Sequence, residues 1–195
     1  RRVLFRSAPF GTAQTLVRAN NAIQYFLPQL GGFYGQITVA AGEKQVPGNK
    51  YTGGRLGYGA GPFNIAVAYG VTEQPESNAV VTIAGTPTSV PITGDIKAAN
   101  IGASWAFSFM TLMGQYNKYE QEGSGSQAVQ AKKELENYSL GVIVPFGASS
   151  IKASYGETKF KDGVGNEPKS TQIGLGYLYD LSKRTTLYEI GRAHV

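Results

Sequence analysis

Cysteine is absent from the 195 residues, and histidine occurs once, as His194. A disulfide framework, a Cys/His metal centre and a His-based catalytic triad are excluded or nearly so. Charged residues make up only 16% of the chain, and no window approaches the ~18 consecutive apolar residues that a membrane helix needs. A helical membrane protein is ruled out. With 42% hydrophobic residues the chain is not a disordered one either, and its length suits one domain. Glycine and tyrosine are abundant instead, at 26 and 12 residues.

The formal charge of +5 comes largely from the two ends. Residues 1–7 (Arg1-Arg2-Val3-Leu4-Phe5-Arg6-Ser7) and 189–195 (Glu189-Ile190-Gly191-Arg192-Ala193-His194-Val195) read like translated sequencing adapters, that is, scars to be set aside. Removing Arg1, Arg2, Arg6 and Arg192 from 18 bases and Glu189 from 13 acids leaves 14 against 12, a net charge of +2. The surviving bases are dispersed, so nucleic acid is not an expected partner. Residues 8–188 are then expected to be an internal fragment.

Period-two alternation runs almost throughout, without a helical stripe. Strands are expected over 16–26, 33–42, 51–60, 63–71, 97–107, 110–119, 136–146, 149–159 and 170–179, with a tenth opening at Thr185 and cut short after Tyr188. One face is fatty (Phe63, Ile65, Val67, Tyr69) and the other small and polar (Asn64, Ala66, Ala68, Gly70). The reading is an all-β antiparallel meander.

Alternation alone does not say which face is inside. Three features favour a membrane barrel. The polar face is mostly Gly, Ala, Ser, Asn and Gln, which suits a confined wet lumen better than bulk water. Short turns near 28–32, 60–62, 107–109, 146–148 and 180–184 alternate with long polar loops at 43–50, 72–96, 120–135 and 160–169. Aromatic residues gather at strand ends in two girdles. One holds Tyr25, Phe26, Phe33, Tyr58, Phe63, Trp105, Phe107, Phe109, Phe146, Tyr177 and Tyr179; the other holds Tyr51, Tyr69, Tyr116, Tyr138 and Tyr155.

Residues 18–25 (Arg18-Ala19-Asn20-Asn21-Ala22-Ile23-Gln24-Tyr25), with 28–33 (Pro28-Gln29-Leu30-Gly31-Gly32-Phe33), resemble the stretch after the constriction loop of the trimeric general porins of Gram-negative outer membranes. Residues 177–188 resemble their penultimate hairpin. The resemblance implies a transmembrane β-barrel of sixteen strands, of which nine to ten are present here, roughly the sixth into the fifteenth. It further implies a homotrimer in outer-membrane lipid that passes ions and small hydrophilic solutes, without cofactors, metals or enzymatic chemistry.

The expected pore-lining residues are Arg18, Asn20, Gln24, Arg55 and Lys152, all on the small polar face. Arg18, Arg55 and Lys152 are basic and face inward, so the wall leans towards anions. By the resemblance, Arg18 also matches an arginine facing the acidic constriction loop. Glu157 belongs to the rim, and Lys132-Lys133-Glu134 to a solvated loop tip. Gly57-Tyr58-Gly59-Ala60-Gly61 has no following helix and is no dinucleotide fingerprint. Two alternatives stay open at this point: a soluble β-barrel or β-sandwich binding protein, and an outer-membrane enzyme barrel.

Overall fold

The computed structural model describes residues 21–42, 50–73, 78–83, 86–91, 94–121, 132–161, 165 and 167–194. They form twelve strands: β1 (Ala22–Leu30), β2 (Phe33–Ala40), β3 (Tyr51–Ala60), β4 (Phe63–Thr72), β5 (Asn78–Ile83), β6 (Thr86–Pro91), β7 (Ile96–Ala106), β8 (Thr111–Gln121), β9 (Lys133–Phe146), β10 (Ser149–Lys161), β11 (Lys169–Ser182) and β12 (Thr185–His194). Ten make one antiparallel sheet in the order β1-β2-β3-β4-β7-β8-β9-β10-β11-β12, and β5 and β6 make a separate hairpin. Within this sheet successive strands pair antiparallel, with β4 meeting β7 across the β5–β6 hairpin, as in an up-and-down barrel wall. The wall is not closed among the described residues.

Glycine sets the tight turns. Gly31 and Gly32 stand at φ 58° and 93° between β1 and β2, where two consecutive positive φ values match the right-handed twist of the hairpin. Gly147, at φ 59°, does the same work between β9 and β10.

Almost nothing apolar is buried: among the described residues the buried hydrophobic side chains are Ala40, Ile96 and Leu135. Ile37, Val67, Leu140, Ile173 and Leu175 lie open on one face, with Leu140 64% exposed. A soluble sandwich would cover such a surface. Here it is the outer face, and lipid is its solvent. The binding-module alternative falls on this point.

The strands differ from expectation in four places. β1 runs through Pro28 to Leu30, and its register with β2 slips between Leu27 and Leu30. Proline cannot donate to a ladder, and the bulge absorbs the missing bond; residues 16–20 of the expected strand lie outside the described residues. The stretch 72–96 holds the β5–β6 hairpin where a loop was expected. β8 to β11 extend further towards the long loops than the pattern indicated, and there Lys132 bridges Glu120 and Glu134, which the register sets opposite each other. β12 continues past Tyr188 to His194, since backbone pairing with β11 does not depend on side-chain identity.

Candidate functional site

The register fixes what each face carries. Cross-strand partners share a face, so the row Gln36, Arg55, Ala68, Asn100, Asn117, Asn137, Thr158, Ser170 crosses β2 to β11 on the inward side. Asn100 Nδ2 donates to Asn117 Oδ1, and Asn117 Nδ2 donates to Asn137 Oδ1 at 3.3 Å. Asn137 Nδ2 in turn donates to Thr158 Oγ1 at 2.9 Å and to the Glu157 carbonyl at 3.4 Å. This amide ladder ties four strands together on a wet surface. The asparagines were legible as polar, but their alignment needs the register.

Of the expected site residues, Gln24, Arg55 and Lys152 fall on the inward face. Gln24 pairs in register with Thr38, Arg55 with Gln36, and Lys152 with Ile143 and Gly176. Arg18 and Asn20 lie outside the described residues. Arg55 and Lys152 are not brought together. Five strand spacings separate β3 from β10, about 24 Å along the wall. Lys152 sits near the short-turn rim, three residues from the start of β10, and not at mid-height. The inward carboxylate among the described strands, Asp180, is at that same rim, where it accepts a hydrogen bond from Thr186 Oγ1 at 2.6 Å.

The inward face also holds aromatic rings, two of which, Tyr51 and Phe26, were expected in the girdles. Tyr51, expected in a girdle, shares the inward face with Ala40 and Thr72, and Phe26 is opposite Gln36. Tyr34 lies across Gly57: a Cβ added there would be 2.3 Å from Tyr34 Cζ. Tyr51 lies across Gly53 and Gly70 in the same way, with its Oη 2.3 Å and 2.7 Å from the corresponding positions. Tyr34 Oη donates to Asn64 Oδ1 at 2.7 Å, and the Arg55 guanidinium carbon is 5.7 Å from the Tyr34 ring centroid. Arg55 Nη2 donates to Gln36 Oε1 at 3.3 Å. The signal in the sequence was a large ring on the small polar face with glycines on the neighbouring strand, which only the pairing connects.

On the outward face the short-turn girdle is made of groups of touching rings. Phe33 meets Tyr58 at 4.8 Å between centroids, and Phe63, Trp105, Phe107 and Phe109 form a chain with steps of 5.6, 6.0 and 6.0 Å. Towards the long loops Tyr116 meets Tyr138 at 4.8 Å. Beyond that tyrosine row lies a band of ion pairs. Lys118 contacts Glu120 at 2.6 Å, and Lys132 contacts Glu120 and Glu134 at 3.2 and 2.8 Å. Glu157 joins Lys169 at 2.7 Å, which keeps it at the rim as expected. Lys132 and Glu134, expected at a loop tip, belong to this strand-borne band. The hydrogen bond from Lys118 holds Glu120 below the ordinary glutamate range, and that from Lys132 does the same for Glu134.

The sequence pattern of the Gram-negative porins matches residues 5–191. Outer membrane porin protein 32 of Delftia acidovorans is 31% identical over 180 residues, covering 88% of this chain and 45% of the relative. An outer membrane porin protein of Bordetella pertussis is 25% identical, covering 92% of this chain and 53% of the relative. The chain thus spans about half the length of these curated relatives. Among solved structures, an anion-selective porin from Comamonas acidovorans superposes with a TM-score of 0.72 at 27% identity, covering 89% of this chain and 48% of that one. OmpT of Vibrio cholerae, at 12% identity and a TM-score of 0.72, shares the fold. Strand order, a lipid-facing apolar surface and a match along nearly the whole sequence agree, and this chain belongs to the Gram-negative porin family of the outer membrane.

Proposed function

We propose that this chain forms part of the wall of a water-filled outer-membrane channel, through which ions and small hydrophilic solutes diffuse passively with a preference for anions. The carrying observation is the sign of the inward charges. Arg55 and Lys152 stand on the lumen face, and the inward carboxylate among the described strands is Asp180, at the rim and already held by Thr186. Fixed positive charge on a low-dielectric wall concentrates anions, and diameter, field and hydrogen bonding do the selecting without any bond made or broken. The name of the Comamonas neighbour, an anion-selective porin, supports the same reading.

Arg18, Asn20 and Gln24 extend this lining, with Arg18 facing the constriction. The intact protein works as a homotrimer, a state named for one OmpT structure. Residues 1–7 and 189–195 are read as foreign to the barrel. For 189–195 the inverted alternation at the end of β12 supports this, since Ile190 lies on the inward face while Glu189 opposes Tyr177 on the lipid side.

The test is reversal potential in planar bilayers under a salt gradient, with the uninterrupted porin that carries this segment. Stepped conductance with anion preference is expected. Arg55→Glu, Lys152→Glu and Arg18→Ala should each shift selectivity towards cations, and the shifts should fade at 1 M salt, where the Debye length is about 3 Å. A wild-type channel that prefers cations, or charge reversals without effect at low salt, would overturn the proposal.

A further inference from the structure

The inward positions of β3 are Tyr51, Gly53, Arg55, Gly57 and Gly59, and the pairing gives this glycine-rich row an unusual covering. The Tyr51 ring lies over Gly53 and Gly70, Arg55 follows, and the Tyr34 ring lies over Gly57. Four residues of extended strand separate the two glycine floors by about 13 Å. Each ring rests against the wall because its partner position lacks a side chain, an arrangement that supports strand glycines by covering them with an aromatic. Tyr34 is further fixed by its bond to Asn64 and Arg55 by its bond to Gln36, while among the described residues no carboxylate pairs with Arg55. The rings are half-buried and Arg55 is exposed, so the row is accessible from the lumen.

We infer that Tyr51, Arg55 and Tyr34 form a stacking track on the lumen wall for anions that carry a flat ring. The track rests on the reading of this face as the lumen of an anion-preferring channel, and adds to it a class of solute. A guanidinium and a tyrosine face both stack on planar groups, and the guanidinium supplies the charge complement. Lys152 offers no such surface. It is a compact ammonium opposite Ile143 and Gly176, and it attracts anions without regard to shape. Arg55 and Lys152 therefore play different parts: Lys152 gathers charge, and Arg55 reads planarity. Fixed rings lose little rotamer freedom when a solute arrives, which favours recognition by stacking even in water.

The experiment compares one anionic group with and without a ring. Chloride current through the uninterrupted porin that carries this segment is titrated with sodium benzenesulfonate and with sodium methanesulfonate. In the wild type the half-blocking concentration should be about fivefold lower for benzenesulfonate, the scale of one aromatic pair in water. Tyr51→Leu and Tyr34→Leu should bring that ratio towards one, the loss falling mainly on benzenesulfonate. Tyr51→Phe and Tyr34→Phe should keep the wild-type ratio, because the ring is retained. Arg55→Ala should weaken both sulfonates while preserving most of the ratio. Equal titration of the two sulfonates in the wild type, or leucine variants that keep the ratio, would refute the track and leave the channel reading standing. A wild type without anion preference would instead refute the channel reading.

Discussion

The covering of Gly57 by Tyr34 makes Gly57→Ala the most informative single substitution in this wall. The added Cβ would stand 2.3 Å from Tyr34 Cζ, 2.5 Å from Cε2 and 2.6 Å from Oη. Carbon atoms attract best at ~3.5–4.0 Å, so the ring must retreat by at least about 1.2 Å. Gly57 lies on the wall, and retreat can only be towards the lumen. The Tyr34 phenol, 2.7 Å from Asn64 Oδ1, is carried out of hydrogen-bond reach, and the contact with Arg55 is lost. The bond is worth about 0.5–1.5 kcal/mol and the cation–π contact about 0.5–1 kcal/mol at an exposed site. Against this, alanine in place of a strand glycine regains about 0.5–1 kcal/mol of chain entropy. The net loss is about 1 kcal/mol, with the ring displaced into the water path.

Gly102 supplies the control. It is also an inward strand glycine, but a Cβ there would meet its nearest atoms at 3.6 and 3.7 Å, ordinary contact distances. Gly102→Ala should therefore be neutral or slightly stabilising. Urea titration of the uninterrupted porin, and its single-channel conductance, are the measurements. Gly57→Ala should lower both the unfolding midpoint and the conductance, and Gly102→Ala should lower neither. Equal behaviour of the two variants would refute the claim that Tyr34 rests on Gly57.

Three further outcomes are expected. The single tryptophan, Trp105, is 45% exposed within the outward aromatic girdle, so brominated lipid should quench its fluorescence strongly and aqueous acrylamide weakly; the reverse would place the apolar face inside. Glu120 and Glu134 titrate below their ordinary range in the folded rim, so their contribution to stability is complete above about pH 4.3 and is lost as pH falls through the lowered values. Lys132 is raised chiefly by its hydrogen bond to Glu134, so its contribution is complete below about pH 10.4 and lost as pH rises through the raised value; unfolding midpoints independent of pH and of salt would show the band to be inert. Asn137→Leu removes the bonds to Thr158 and Asn117 from the amide ladder and should cost about 1 kcal/mol in urea titration, because lumen water replaces part of what is lost; a loss of several kcal/mol would mean that the ladder is dry.

Alternation determined the all-β class of this protein, because a strand has only two faces, and the uncharged polar face, the unequal turns and the aromatic girdles then decided which face meets lipid. Ile65, Val67 and Tyr69 against Asn64, Ala66 and Ala68 placed β4 and its orientation, and glycine-bearing turns placed its neighbours. That Gln24, Arg55 and Lys152 share the small polar face was legible for the same reason. Parity could also have turned Tyr51 inward, but a tyrosine at a strand end reads as a girdle residue until something is seen beneath it. What lies beneath is settled by register: Gly53 and Gly70 are two and nineteen residues away in sequence, and only the pairing of β3 with β4 sets both under one ring. The ladder of Asn100, Asn117 and Asn137 and the band that joins Lys132 to Glu120 are of the same kind. Each depends on which residue stands opposite which across a loop, a distance in sequence that composition and period do not encode. Local chemistry decided which side of the wall each residue takes, and strand pairing decided its neighbours there.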